Sequence, residues 1–181
     1  MPQDDKRLFL LDAFALIYRA YYAFSKYNPR TKEYTGLINS KGVNVSAIYG
    51  FVLTFLDLIE KENPTHIAVV FDTDDATTDR AQEYEFYKAN RQTMPEDIAN
   101  SIPVIKEIVK GFDLPCLELA GYEADDIVGT IAKQKAQEGY EVFMVTPDKD
   151  YGQLVEENIY MYKPGRQGSG PEVLGVKEVN E

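Results

Sequence analysis

Seven carboxylates of this chain stand where apolar, strand-like segments end or where a helical segment begins. They are Asp12, Asp72, Glu123, Asp125, Asp126, Asp148 and Asp150. In a parallel α/β sheet, sites form outside the carboxyl ends of the strands, so we expect these side chains to share one pocket. Carboxylates this close together repel one another strongly unless cations lie between them. The pattern therefore predicts a divalent-metal site.

The chemistry that such a site allows is hydrolysis of a phosphodiester. Mg²⁺ and Mn²⁺ prefer carboxylate and water oxygens, and two ions about 4 Å apart can clamp the attacking and leaving oxygens. An ion also lowers the pKa of its bound water, so no side-chain base is required. His66 is the only histidine and Cys116 the only cysteine, which argues against sites built on imidazole or thiolate groups. Two Mg²⁺ or Mn²⁺ ions are the expected cofactors.

Each part of this set also has a structural interpretation. Asp12 could cap the helix that follows it, and Glu123 with Asp126 could form a charged first turn. Asp148 and Asp150 could belong to a simple turn. The occurrence of all of them together at strand ends favours the metal site.

Strand-like and helical segments alternate along the chain. Strands are predicted at 7–11, 66–71, 114–119, 141–145 and 159–162, and helices at 13–24, 45–59, 95–112 and 123–137. This alternation predicts an α/β fold with a mainly parallel central sheet and helices on both faces. Asn44 is expected to cap the second helix, and Pro103 to restart the helix that Pro95 begins. Residues 25–41 are expected to form an exposed loop.

Length, charge and composition limit the classes of protein to which the chain can belong. The chain has 181 residues, of which 44% are hydrophobic, and this suits one domain with a substantial core. No apolar stretch approaches the ~20 residues of a membrane helix. With its single cysteine, the chain is expected to be cytoplasmic, with no membrane partner. The net charge of −11 has the wrong sign for a simple nucleic-acid binder, although the seven carboxylates supply much of it and bound cations would offset them.

A polar segment after Asp72 combines basic and aromatic side chains. They are Arg80, Tyr84, Tyr87, Lys88 and Arg91. Cations beside aromatic rings suit phosphate contact and base stacking. The alternative is a solvated amphipathic helix, which has the same composition.

Several motifs resemble those of a known family, the 5'-nuclease domain of bacterial DNA polymerase I and related structure-specific 5'-3' exonucleases and flap endonucleases. The motifs are LLDAFALIYRAYYAF (10–24), NSKG with SAIYGF (39–51), FDT (71–73), YKANR with MPEDI (87–98), GYEADDIVGT (121–130) and VTPDKDYGQL (145–154). The motifs are spread from residue 10 to residue 154, and the resemblance covers nearly the whole chain. The resemblance implies a PIN-like, resolvase-like catalytic domain over residues 1–174 and the start of a helix-hairpin-helix-like region over 175–181. It also implies an arch, or clamp, over residues 73–93, through which a 5' single strand passes.

The resemblance also implies roles for individual residues. Asp12, Asp72, Glu123 and Asp125 would hold one metal ion, and Asp125, Asp148 and Asp150 would hold the second, with Asp126 nearby. Lys88 would contact the scissile phosphate with help from Arg80 and Arg91, and Tyr22 would contact the DNA. The implied substrates are DNA with a 5' end or flap and the RNA primer of an RNA–DNA hybrid. The implied context is replication and repair, in a chain fused to a polymerase domain.

Three features depart from the family pattern. The aromatic residue and the histidine that flank the arch arginine are replaced here by Asp79 and Ala81. Residues 25–39 form a longer loop, and the chain ends at Glu181, before the region that would grip the duplex. A non-catalytic DNA- or partner-binding module of the same fold is therefore an alternative to an active nuclease. A phosphatase or receiver-like domain fits poorly, because Ala13 and Phe14 follow Asp12 where a phosphatase needs a second acid.

Overall fold

The computed structural model describes residues 6–31, 33–73, 94–165 and 169–179. The strands are β1 Arg7–Asp12, β2 Lys26–Asn28, β3 Glu33–Thr35, β4 His66–Val70, β5 Cys116–Leu117, β6 Glu141–Val145, β7 Ile159–Lys163 and β8 Glu172–Leu174. The helices are α1 Ala13–Phe24, α2 Ser46–Glu62, α3 Glu96–Gly111, α4 Ala124–Gln137 and α5 Val176–Val179, with a 3₁₀ helix at Lys149–Leu154. None of the helices in these described ranges is long and apolar enough to cross a membrane. The boundary expected between residues 174 and 175 stays a prediction.

A six-stranded sheet forms the centre of the fold, in the order β5-β4-β1-β6-β7-β8. All neighbouring strands are parallel except β8, which runs antiparallel to β7. In the register, Leu11 lies beside both Val69 and Val145, so the carboxyl ends of β4, β1 and β6 lie side by side at the same end of the sheet. The predicted α/β class with a mainly parallel sheet is confirmed, and this edge is where the site must form.

Both faces of the sheet are covered, which is why its central strands are almost continuously apolar. Phe9 and Leu11 of β1 pack into a cluster with side chains of α1, α2 and α3. Leu8 and Leu10 point the other way and pack against the α4 side chains. The alternation fixes the strand register, because a shift of one residue would exchange the two faces.

Residues 25–41 contain more structure than the predicted loop. β2 and β3 form an antiparallel hairpin in which Tyr27 pairs with Tyr34. The helix α2 begins at Ser46 with Val45 in the capping position, one residue later than expected. Asn44 still serves this end of the helix, because its Oδ1 accepts the backbone N–H of Ser46 at 3.0 Å.

Pro103 does not restart a helix; α3 runs through it without a break. Proline lacks the N–H that would bond the carbonyl of residue 99, four positions earlier. Both Ala99 and Pro103 are exposed, so water can replace that donor and the helix continues. The predicted strand at 114–119 is shorter in the structure, where β5 comprises only Cys116–Leu117.

Helices α1 and α2 pack closely at Gly50. A Cβ atom added to this glycine would lie 2.7 Å from the Ala20 Cβ and 2.9 Å from the Phe24 ring. The small residue therefore sets the distance between the two helices, and α1 is the helix that begins at Asp12.

We expect Gly50→Ala to lower the free energy of unfolding by about 1–3 kcal/mol, because overpacking outweighs the gain in helix propensity. Gly111→Ala is the matched control, since a Cβ at this helix position has no atom within 4 Å. The control is expected to be neutral or stabilising by up to about 1 kcal/mol. Urea unfolding of both variants measures the difference, and equal stabilities would contradict the close-packing argument.

Candidate functional site

Six of the seven predicted carboxylates line one cleft of about 160 Å³ at the edge of the sheet where β1, β4 and β6 end. They are Asp12, Asp72, Glu123, Asp125, Asp148 and Asp150. The seventh, Asp126, is not among the lining residues. Its Oδ2 instead accepts the backbone N–H of Glu123 at 3.4 Å, which fixes the first turn of α4.

Asp12 is both a helix cap and a member of the cleft. The backbone N–H of Ala15 donates to its Oδ1 at 3.1 Å, and the Thr146 hydroxyl donates to its Oδ2 at 3.0 Å. Burial raises the pKa of Asp12 to about 6; the two hydrogen bonds lower it, and nearby Asp72 adds to the rise. Asp12 therefore caps α1 and lines the cleft at the same time, and its role as a metal ligand stays a prediction.

Thr146 connects the ends of β1 and β6. Its side chain is fully buried, and its hydroxyl oxygen, besides donating to Asp12, accepts the backbone N–H of Asp148 at 3.1 Å. Asp148 in turn caps the 3₁₀ helix, because its Oδ1 accepts the N–H of Asp150 at 3.0 Å. Sequence analysis missed Thr146, and its position between a strand and Asp148 is the one signal that could have found it.

The N-terminus of α4 is tied to the end of β4. The backbone N–H of Ala124 donates to Asp72 Oδ1 at 2.8 Å. Glu123, in the capping position, is buried, and Asp125 follows in the first turn. The partial positive charge of a helix N-terminus reduces the repulsion among acids placed there. This arrangement brings Asp72, Glu123 and Asp125 to one side of the cleft.

Tyr151 lines the same cleft and was also missed from sequence. It is buried, and burial raises the pKa of its hydroxyl well above the usual value, with the charges of Asp12 and Asp125 adding to the effect. The phenol therefore stays protonated at any physiological pH. Its hydroxyl interacts as a donor with the Asp12 carboxylate, which lowers the pKa of Asp12 and raises that of Tyr151.

The donor set suits a hard divalent cation. No lysine or arginine in the described ranges lines the cleft, and its ionisable groups are carboxylates and the Tyr151 phenol. Oxygen ligands of this kind select Mg²⁺, Mn²⁺ or Ca²⁺. No three acidic, histidine or cysteine side chains of the described part are arranged as a complete ligand set. The cleft therefore suits a divalent cation by its negative charge and its oxygen donors.

A larger cavity of about 830 Å³ opens beside the cleft and shares Asp12, Asp72 and Asp148 with it. Tyr18 and Tyr22 of α1 line one wall, with their ring centroids 6.4 Å apart. Tyr22, which was predicted as a nucleic-acid contact, is 44% exposed. Tyr18 was not predicted from the sequence. A cavity that joins aromatic rings to an acidic cleft could hold an aromatic base next to a reacting phosphate.

The remaining predicted residues lie outside the described part of the chain. They are Arg80, Tyr84, Tyr87, Lys88 and Arg91.

A family model described as "5'-3' exonuclease, N-terminal resolvase-like domain" matches residues 7–181. The 5'-3' exonuclease of Aquifex aeolicus (strain VF5) is 41% identical over 159 residues, which are 88% of this chain and 51% of that protein. DNA polymerase I of Bacillus subtilis (strain 168) is 38% identical over 154 residues, which are 85% of this chain and 16% of that protein. The chain thus spans about half the length of the exonuclease and less than a fifth of the polymerase.

Solved structures share the fold at low sequence identity. The T5 D15 protein, co-crystallised with metal ions, has a TM-score of 0.60 at 17% identity, covering 87% of this chain and 55% of that chain. The catalytic core of Rad2 in complex with DNA substrate has a TM-score of 0.54 at 16% identity, covering 97% of this chain and 48% of that chain.

We expect Thr146→Val to lower the free energy of unfolding by about 1–3 kcal/mol, because the Asp12 Oδ2 atom and the Asp148 N–H each lose a hydrogen bond to the buried hydroxyl. Thr130→Val is the matched control: within the described part of the chain, its exposed hydroxyl donates to the Asp126 carbonyl of its own helix. Chemical denaturation of the two variants measures the difference. Equal effects would mean that the Thr146 bridge does not hold the strand ends together.

Proposed function

Because the chain belongs to the family of 5'-3' exonuclease N-terminal resolvase-like domains, we propose that it is a divalent-metal-dependent 5' nuclease. It hydrolyses phosphodiesters near the 5' ends or flaps of DNA. The observation that carries this proposal is the single cleft in which six carboxylates meet, beside a cavity with an aromatic wall. Metal-assisted hydrolysis is the chemistry that such a cleft suits best.

Two Mg²⁺ or Mn²⁺ ions are the proposed cofactors. Asp12, Asp72, Glu123 and Asp125 would hold one, and Asp125, Asp148 and Asp150 the other, so that Asp125 contacts both. When bound, such ions supply an activated water and neutralise charge on the reacting phosphate. We assign Asp126 to the positioning of Glu123, because its carboxylate accepts the Glu123 N–H.

The protein's own groups hold this site in a fixed geometry. Ala15 and Thr146 orient the Asp12 carboxylate, and Ala124 orients that of Asp72, so neither has to reorganise when substrate arrives. The protonated Tyr151 hydroxyl can donate a hydrogen bond into the cleft, where the other ionisable groups are acceptors.

The adjoining cavity is proposed as the path of the nucleic-acid strand. With the scissile phosphate at the carboxylates, neighbouring bases lie against Tyr18 and Tyr22, which offer stacking surfaces without sequence preference. Lys88, with Arg80 and Arg91, remains predicted to contact the phosphate from the arch, where Tyr84 and Tyr87 would contact the strand.

The wider role is proposed from the relatives. Some are named DNA polymerase I, so we propose a role in replication and repair. In that setting the substrates are DNA 5' flaps and RNA primers paired to DNA, and the domain is joined to a polymerase.

The test is cleavage of a 5'-labelled flap DNA by the chain in Mg²⁺ and in Mn²⁺. Asp125→Asn is expected to reduce the rate by about two orders of magnitude or more, because a lost metal ligand forfeits several kcal/mol of transition-state stabilisation. Asp57→Asn is the matched control, since this exposed acid on α2 does not line the cleft and its ion pair among the described residues is with Lys61. The control is expected to cleave like the parent, and circular dichroism verifies that both variants fold.

The possible results separate the hypotheses. Near-parental activity of Asp125→Asn would reject its contact with both ions. A parent chain that cleaves in neither metal would favour the non-catalytic module, for which the replacement of arch residues by Asp79 and Ala81 is the supporting observation.

A further inference from the structure

Lys106 is the one cationic side chain among the described residues that line either the carboxylate cleft or the larger cavity. We propose that it binds a backbone phosphate of the substrate strand, next to the phosphate that is cleaved. Glu118 holds the lysine in place until the strand arrives. This inference rests on the proposed nuclease function and adds a strand-binding residue that lies outside the predicted arch.

The position of Lys106 is defined by two contacts. Its Nζ lies 2.6 Å from Glu118 Oε2, which joins α3 to the segment after β5. The same ammonium lies 4.9 Å from the centroid of the Phe71 ring, a buried side chain that directly precedes Asp72. The lysine head group is therefore fixed beside the end of β4, where the cleft begins.

The location of Lys106 decides which phosphate it can meet. The residue lines the larger cavity but not the carboxylate cleft, and the two share Asp12, Asp72 and Asp148. A strand whose scissile phosphate lies at the carboxylates must pass through the cavity with its next phosphates. Those phosphates face carboxylates of like charge, and Lys106 is the described lining group that can compensate for them.

Glu118 is suited to be a temporary partner. Its side chain is 43% exposed and that of Lys106 is 26% exposed, so water reaches both groups of the pair. An ion pair this open contributes little to stability, which makes a purely structural role a weak explanation. When a phosphate oxygen replaces the Glu118 carboxylate, Lys106 keeps an anionic partner and the carboxylate returns to water.

The rest of the cavity supports the same orientation of a strand. Tyr18 and Tyr22 belong to α1 and Lys106 belongs to α3, so two different helices supply the rings and the ammonium that line the cavity. Aromatic rings accept bases and the ammonium accepts the backbone, which is the division of contacts used for single-stranded nucleic acids.

The experiment compares Lys106→Met with Lys110→Met in the full 181-residue chain. Methionine keeps an aliphatic stem against Phe71 and removes the charge, and Lys110 is an exposed lysine one turn later on α3 that does not line the cavity. Binding of a fluorescein-labelled single-stranded DNA is measured by anisotropy in Ca²⁺, a cation that the carboxylates can also bind, at several salt concentrations, and a gel of each sample verifies that the DNA stays uncut.

Lys106→Met is expected to weaken binding by about three- to tenfold and to reduce the slope of log K against log salt by about 0.7, the value for one lost phosphate contact on a single strand. Lys110→Met is expected to change neither quantity, and Lys106→Arg to restore the slope. Glu118→Gln is expected to strengthen binding by about twofold, because it removes the competing anion.

Two results would overturn the proposal in distinguishable ways. If the parent binds and cleaves DNA but Lys106→Met shows the parental affinity and salt dependence, Lys106 does not bind the strand. Its role is then only the ion pair that joins α3 to Glu118. If the parent neither binds nor cleaves DNA, both this inference and the proposed nuclease function fail.

Discussion

Mutual repulsion among carboxylates at one edge of the sheet is the constraint that the rest of the structure has to meet. The protein meets it by giving members of the cluster fixed hydrogen-bond donors from neighbouring elements. Ala15 of α1 donates to Asp12, Ala124 of α4 donates to Asp72, and Thr146 links Asp12 to the backbone of Asp148. The same bonds that restrain the charges also join α1, α4 and the 3₁₀ helix to the ends of their strands.

This arrangement links the fold to the chemistry. The register that pairs Leu11 with both Val69 and Val145 brings three strand ends together, and the apolar clusters on both faces keep that register from shifting. Burial nevertheless raises the pKa of Asp12 to about 6, so its ionised form is less favoured than in water. A cation in the cleft would favour the ionised form of this carboxylate, which agrees with the proposed metal site.

The parts of the fold that sequence could predict are those set by local patterns. Apolar runs ending in aspartate located β1, β4 and β6, and the acidic first turn located α4. The β2–β3 hairpin was missed because its strands have only three residues each, which is too short for a period of two to be recognised. Thr146 and Tyr151 were missed because their roles depend on tertiary neighbours: the Thr146 hydroxyl serves Asp12, which lies 134 positions away.

The acidic net charge argues against nucleic-acid binding when only the composition is considered. The positions of the charges in the structure are nevertheless compatible with such binding. Seven of the 30 acidic residues belong to the predicted site set, where bound cations would offset their charge, and the field that a strand meets is local. In the cavity that field is set by the shared carboxylates and by Lys106 with its partner Glu118. Because net charge averages over surfaces that a substrate never approaches, the placement of one lysine can matter more to binding than the sign of the total.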